Sequence, residues 1–320
     1  TSERNLEALL PLVDDRTWPR CAFCSDDRDC FTLLHDGHVD AIVRDAIAGG
    51  MDPIMAYRLA TWNPADYWRL DGIGAIAPGY EANLNIISDF ESVTIDTTMF
   101  QGKIVADRGE MVVDLPANDP PAFLLDSMHV GPLDLDSFRL DPANAKQAIV
   151  VYDGQIVTNV QPVTPIVENG VAVVDVESDI LKIACIERHK ATGRVGVGYI
   201  RGFGLQRGAI ASSIAHDAHN IVVVGVSDTD MLAAVQRVIE LHGGLVTAAG
   251  GEVVAELPLP IGGIISDQSL ASVSAHLEIV EQSANDLGSQ LTSPFGLLAF
   301  MALSVIPKGR VTDRGFITVR

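Results

Sequence analysis

Two adjacent carboxylates, Asp26 and Asp27, close a short apolar run, Cys21-Ala22-Phe23-Cys24, and are followed by Arg28. Chemistry in α/β barrels sits where buried strands end, so a carboxylate here is well placed. Such a group can hold a metal ion that lowers the pKa of bound water to about 7. It can also carry a proton to a leaving amine. The same pair suits a plainer task, capping the helix that follows. A second set of chemical groups is His216-Asp217-Ala218-His219-Asn220, just ahead of the apolar residues 221–226. Two imidazoles around a carboxylate fit metal binding or substrate orientation. A polar loop satisfied by its own hydrogen bonds has the same composition, and a metal needs further ligands from elsewhere. His189, in Glu187-Arg188-His189-Lys190, either reaches that loop or lies in a solvated turn. His38 stands at a helix start, either behind the Asp26 carboxylate or as a capping or packed residue.

Other motifs carry less. Cys21 and Cys24 form a C-x-x-C, but no second pair follows and the context is not thioredoxin-like. Two buried thiols are therefore expected in place of a zinc or redox site. Gly196-Val197-Gly198 and Gly202-Phe203-Gly204 give neither G-x-G-x-x-G nor a Gly-Lys-Ser/Thr ending, which excludes a phosphate loop.

The elements that must position these groups follow from periodicity. Residues 2–13 read as a helix, with Leu6, Leu9, Leu10 and Val13 at helical spacing and Pro11 near its end. Residues 20–24 read as a buried strand. Residues 35–49 read as an amphipathic helix with Val39, Ile42, Val43, Ala46 and Ile47 on one face. Asp52-Pro53 starts another helix, expected to end before Pro64. Short strands and turns follow over 72–113. A Pro- and Asp-rich stretch over 115–139 reads as a linker. Beyond it, Asp153-Gly154 predicts a hairpin, and residues 180–186, 195–200 and 221–226 predict strands. Ser227 caps a helix whose stripe is Met231, Val235, Val238 and Ile239. A second hairpin turns at Gly250-Gly251, and residues 269–287 form a last helix.

The 320 residues are 48% hydrophobic, enough for two domains or one large one. A net charge of -20 repels phosphate backbones and argues against nucleic acid as partner. No apolar run approaches the roughly 18 residues of a membrane span. Thr1-Ser2-Glu3-Arg4 lacks the apolar core of a signal peptide, and four cysteines are too few for a disulfide scaffold, so a cytoplasmic protein is expected.

The segment Cys21-Ala22-Phe23-Cys24-Ser25-Asp26-Asp27-Arg28 resembles the end of strand eight in the adenine deaminase family of metal-dependent amidohydrolases. The resemblance continues through Gly37-His38-Val39-Asp40, Ala60-Thr61-Trp62-Asn63-Pro64-Ala65 and Gly74-Ala75-Ile76-Ala77-Pro78-Gly79. Its most distinctive part is Gly202-Phe203-Gly204-Leu205-Gln206-Arg207-Gly208-Ala209-Ile210-Ala211-Ser212-Ser213, and the His-Asp-x-His-Asn segment is shared as well. Asn83 stands where the family usually has Asp, in a closing β segment where little effect on chemistry is expected.

The resemblance implies an α/β fold: the end of a (β/α)8 metallo-hydrolase barrel over 1–70, a small β domain over 71–114, a linker over 115–145 and an α/β C-terminal domain over 146–320. It implies a hydrolase of purine salvage that converts adenine and water to hypoxanthine and ammonia. A binuclear divalent metal centre of manganese or iron, with zinc as a third choice, would supply the hydroxide. Asp26 becomes the metal-side carboxylate and proton shuttle, and Asp27 stands behind it. His216, Asp217 and His219 are placed on the substrate side, in a loop expected to face Asp26 in the same subunit or a partner. A homo-oligomer is implied. The superfamily's His-x-His and its other metal ligands are not in the sequence. The first seven βα units are therefore expected upstream of Thr1, and the isolated chain is expected to be inactive. Two rivals are an amidohydrolase for another cyclic substrate and a non-catalytic assembly or regulatory module.

Overall fold

The computed structural model describes residues 5–115 and 119–320. They form two compact units, the second beginning at Asp119. The whole is mixed α/β.

The first unit is helical and then β. It runs α1 (Leu6–Leu9), a 3-10 turn (Leu10–Leu12), α2 (Cys30–His35), α3 (Val39–Ala48), α4 (Pro53–Ala60) and α5 (Trp62–Trp68). A meander follows, β1 (Leu84–Asp89), β2 (Thr94–Phe100), β3 (Lys103–Asp107) and β4 (Glu110–Met111), each paired with the next. Val43, Ala46, Ala56 and Val93 form its core, with Leu10, Phe23, Val39 and Ile47 packed against them. That is the apolar face read from the 3.6-residue period. Asp52 caps α4 by accepting the Met55 N–H at 3.0 Å, with Pro53 in the first turn, where a missing N–H costs nothing.

Two expectations are corrected here and one is refined. The helix expected over 35–49 begins only at Val39, because His35 ends α2 and Gly37 turns the chain at φ +107° between the two. The helix from Asp52 does end at Ala60, but Pro64 does not mark open chain: it lies in the first turn of α5, where proline is tolerated. Residues 20–24 form no strand among the described residues. Arg20 closes a 3-10 turn, and residues 21–25 are extended with alternating exposure. Their backbone is met singly, Phe23 N–H by the Leu59 carbonyl at 3.0 Å, and not by a ladder.

The second unit starts with α6 (Ala122–Leu125) and runs through β5 (Gln147–Tyr152), β6 (Gln155–Pro162), β7 (Ile166–Glu168), β8 (Val171–Val173), β9 (Leu181–Ile186), β10 (Val195–Arg201), β11 (Ala209–Ser212) and β12 (Ile221–Gly225). Then come α7 (Asp228–Glu240), β13 (Gly244–Ala249), β14 (Glu252–Pro258), α8 (Leu270–Asp286), α9 (Pro294–Leu298), β15 (Gly309–Thr312) and β16 (Gly315–Thr318). Eight strands make one sheet in the order β14-β13-β11-β12-β9-β10-β5-β6. Every pair is antiparallel except β10 with β5. The linker expected over 115–145 is built into this unit from residue 119 on: Phe138, Leu140 and Ala145 are buried in its core.

The two faces of the sheet are covered differently. Met231, Ala234, Val235 and Val238 of α7 pack on Ala209, Ala211, Val223 and Val246. Thr247, which points the other way, pairs its hydroxyl with Ser283 of α8 at 2.7 Å. Strands buried on both faces read as continuous apolar runs, which is how Ile221-Val222-Val223-Val224 reads. On β10, Val195 and Val197 pack toward α7, so Gly196 and Gly198 face the β15–β16 hairpin. A side chain at Gly196 would strike the Thr312 carbonyl and the Gly315 backbone. Gly196→Ala is therefore expected to destabilise the second unit by about 1–3 kcal/mol, the range for overpacking. A shift of the urea midpoint at constant slope measures it; an unchanged midpoint refutes the close approach.

Candidate functional site

Asp26 stands at the end of the extended segment 21–25. Asn63 holds that segment from behind: its side-chain amide donates to the carbonyls of Trp18 at 2.7 Å and Cys21 at 2.8 Å, and Asn63 itself is buried. The Asn-Pro-Ala motif thus has a physical task, to satisfy a backbone that no ladder satisfies. At Asp26 the chain turns with φ +49°, a left-handed conformation that Asp tolerates better than most residues. Its exposed carboxylate accepts the Asp27 N–H at 2.8 Å. Neither Asp26 nor Asp27 caps α2. Asp29 does, accepting from Thr32 N–H at 2.8 Å and its hydroxyl at 2.7 Å. The plainer reading of the Asp pair is thereby removed.

His38 precedes α3 but makes no side-chain cap. Its Nε2 pairs with the Ser25 hydroxyl at 2.9 Å, one residue from Asp26. Arg28 donates from Nη1 to the Gly37 carbonyl at 2.7 Å, so the corner between α2 and α3 is tied to the Asp26 segment. Cys21, Cys24, Cys30 and Cys185 are free thiols. Cys24 is exposed and Cys21 half-buried, which corrects the expectation of two buried thiols. Among the described residues no three His, Cys, Asp or Glu side chains gather as a metal site requires. Asp26 fits a divalent metal as one oxygen donor of a larger set.

In the second unit, residues 216–220 lie between β11 and β12. The His216 ring stacks on Phe300 with centroids 4.6 Å apart, and its backbone N–H donates to the Ala299 carbonyl at 2.9 Å. The His219 ring lies 5.6 Å from that of His216, edge toward face. Its Nδ1 accepts the Ala215 N–H at 3.3 Å, which leaves the proton of a neutral ring on Nε2. Burial pushes the His219 pKa below the ordinary imidazole value; His216 and Arg188 push the same way and Asp217 opposes them. At neutral pH this ring is an uncharged donor and acceptor. Asp217 is exposed.

The loop is gripped by the turn after β9. His189 Nε2 lies 2.7 Å from the Ala218 carbonyl. His189 stays exposed, as the solvated-turn reading expects, while it bonds the backbone of the loop. Arg188 Nε bonds the His219 carbonyl. The turn itself is folded around Glu187, whose carboxylate accepts from His189 N–H at 2.6 Å, Lys190 N–H at 2.8 Å and Thr192 N–H at 3.0 Å and hydroxyl at 2.7 Å. Burial works against this carboxylate, but the bonds from Thr192, His189 and Lys190 outweigh it and hold its pKa down at about 2. Arg188 and Phe300 have no sequence signal: four polar residues in a row look like solvent-facing turn, yet Glu187 and Arg188 are buried.

Residues 155–320 match the family model of the adenine deaminase C-terminal domain. The chain belongs to that family. Residues 1–105 match the model of the amidohydrolase family. Over 320 residues the chain is 44% identical to an adenine deaminase of Dehalococcoides mccartyi, covering all of this chain and 56% of that protein. An adenine deaminase of Desulfatibacillum aliphaticivorans is 42% identical over 320 residues, again with 56% of its length covered. One from Methanothrix thermoacetophila is 40% identical over 323 residues at the same coverage. The chain thus spans a little over half the length of the curated relatives it matches. The 216–220 loop and the Glu187 turn fall within the stretch matched by the adenine deaminase C-terminal domain, and Asp26 and His38 within the amidohydrolase stretch.

Proposed function

We propose that this chain is the C-terminal part of an adenine deaminase, which hydrolyses adenine to hypoxanthine and ammonia. The observation that carries the reading is identity of 40–44% over the whole chain to relatives named for that activity, joined to an exposed carboxylate at Asp26. In this reading the first unit is the end of a (β/α)8 barrel with its small β domain, and the whole protein is a cytoplasmic homo-oligomer. A divalent metal pair, manganese or iron, supplies the activated water when bound. Asp26 donates one oxygen to that site and moves the proton from the attacking water to the departing amine. Asp27 stands behind it, oriented by its own N–H bond to Asp26. His216, Asp217 and His219 serve on the substrate side. Imidazole nitrogens give donors and acceptors of the kind a purine edge requires.

The test is hypoxanthine and ammonia release from adenine by the purified full-length protein after manganese or iron loading. No release under either metal overturns the reading. For the loop, His219→Ala in the full-length protein is expected to lower kcat/KM for adenine about 10–100-fold, the scale of a lost hydrogen bond of roughly 1–3 kcal/mol to a substrate. An unchanged kcat/KM removes His219 from the substrate side.

A further inference from the structure

Arg188 is the most deeply enclosed charged residue bonded to the imidazole loop, 2% exposed. Its guanidinium joins three separate stretches of chain. Nε bonds the His219 carbonyl; Nη1 donates to the Ser127 carbonyl at 2.9 Å and hydroxyl at 3.2 Å; Nη2 donates to the Gly262 carbonyl at 3.0 Å. Nη1 also lies 3.8 Å from Met128 Sδ, and the Arg188 N–H meets Asn220 Oδ1 at 3.4 Å. Gly263 leaves the room: a side chain there would press on Nη1.

Every one of these acceptors is neutral. A buried cation without a carboxylate partner is a costly way to hold a fold together, and apolar packing would serve at least as well. What apolar packing cannot do is fix a carbonyl in direction. A planar fork with five donors does so at several carbonyls at once, and a lysine ammonium does not. The carbonyl it fixes in the loop belongs to His219 itself, and the neighbouring Ala218 carbonyl is held by His189.

We propose that Arg188 is the positioning residue of the His216–His219 imidazole pair, setting the rings' place through the loop backbone without touching substrate. This rests on the reading that the loop serves the deamination of adenine. Burial, His216 and the Arg188 charge together lower the His219 pKa, against the opposing charge of Asp217.

The experiment uses the full-length, metal-loaded protein and three variants: Arg188→Lys, His219→Ala and the double substitution. For Arg188→Lys the expected results are faster hydrogen exchange in the peptide covering residues 214–220, a kcat lower by about 10–100-fold as for a small misplacement, and a KM for adenine within about threefold of wild type. Because Arg188 acts through His219, Arg188→Lys should cost little in the His219→Ala background. Full additivity of the two effects overturns the proposal, since it would make Arg188 a general stabiliser. A costly His219→Ala beside an Arg188→Lys with unchanged kcat overturns it too, while leaving the deaminase reading standing. If His219→Ala is neutral, the substrate-side reading of the loop fails first and the proposal with it. Should Arg188→Lys not fold, Gly263→Ala, whose methyl would push Nη1 aside, is expected to speed loop exchange and lower kcat in the same way, and no change in either overturns the proposal.

Discussion

Asp26→Asn in the full-length protein is expected to fold normally and to lose turnover of adenine by about 10²–10⁴-fold, the usual range for a lost general acid/base. The structure explains why the comparison is clean. Asp26 is exposed, so no core contact changes. An amide oxygen can still accept the Asp27 N–H bond, and Asn adopts the left-handed conformation at φ +49° as readily as Asp. What is lost is the carboxylate's ability to take a proton and part of its hold on a metal. Measuring kcat at saturating adenine together with bound metal separates the two losses. A variant with full metal and more than about a tenth of wild-type kcat would falsify the shuttle role.

Arg310→Met is expected to cost the second unit about 2–4 kcal/mol, because buried acceptors lose donors at roughly 1–3 kcal/mol for each one left unsatisfied. That is a large share of the roughly 5–15 kcal/mol that separates folded from unfolded states. Arg310 is fully buried. Nε donates to the Leu303 carbonyl at 3.2 Å, Nη1 to the Thr158 hydroxyl at 2.5 Å and the Gly309 carbonyl at 2.8 Å, and Nη2 to the carbonyls of Ile156 at 2.7 Å and Pro307 at 3.1 Å. Burial lowers its pKa to about 10, so it remains charged at neutral pH. Met fills similar volume but removes every bond that the guanidinium makes, while Gly309 and Pro307 keep a donor from Thr158; each acceptor left underserved costs up to about 1–3 kcal/mol. Urea unfolding of the 320-residue protein reads the difference. A loss below about 1 kcal/mol would mean that water or a shifted backbone satisfies those carbonyls.

Much of the second unit was legible because its elements obey simple periods. The α7 stripe, the Asp153-Gly154 turn and the apolar β12 run each declare themselves within about ten residues. The exclusion of a phosphate loop at Gly202-Phe203-Gly204 also has a structural counterpart. The N–H groups of Gly202 and Gly204 are taken by the Asp179 carboxylate at 2.6 and 2.9 Å. What sequence could not convey was burial without periodicity. Arg188 and Arg310 look like surface residues by type, and only the carbonyls converging on them from distant stretches make them interior. Residues 21–25 misled in the other direction. Their short apolar run suits a buried strand, but a strand is defined by neighbours, and a one-dimensional pattern says nothing about which neighbours are there. At the candidate sites, residue type and spacing left the carboxylate and the imidazoles open between a site and a local structural task, and the family resemblance gave them their expected roles. What orients them was missed, Asn63 behind Asp26, and Arg188 with Phe300 around the loop.

The β15–β16 hairpin has a consequence for synthesis of the protein. Arg310 closes on Thr158, 152 positions earlier in the chain, and Thr312 and Gly315 cover the bare glycine backbone of β10. At ribosomal rates of about 5–20 residues per second, β6 waits roughly 8–30 seconds for its cover. Throughout that interval the nascent chain presents an apolar face that only its own late residues fit. A holding chaperone fits that window, and a premature stop ahead of Gly309 leaves the face open for good, a direct route from a short truncation to aggregation and proteolysis.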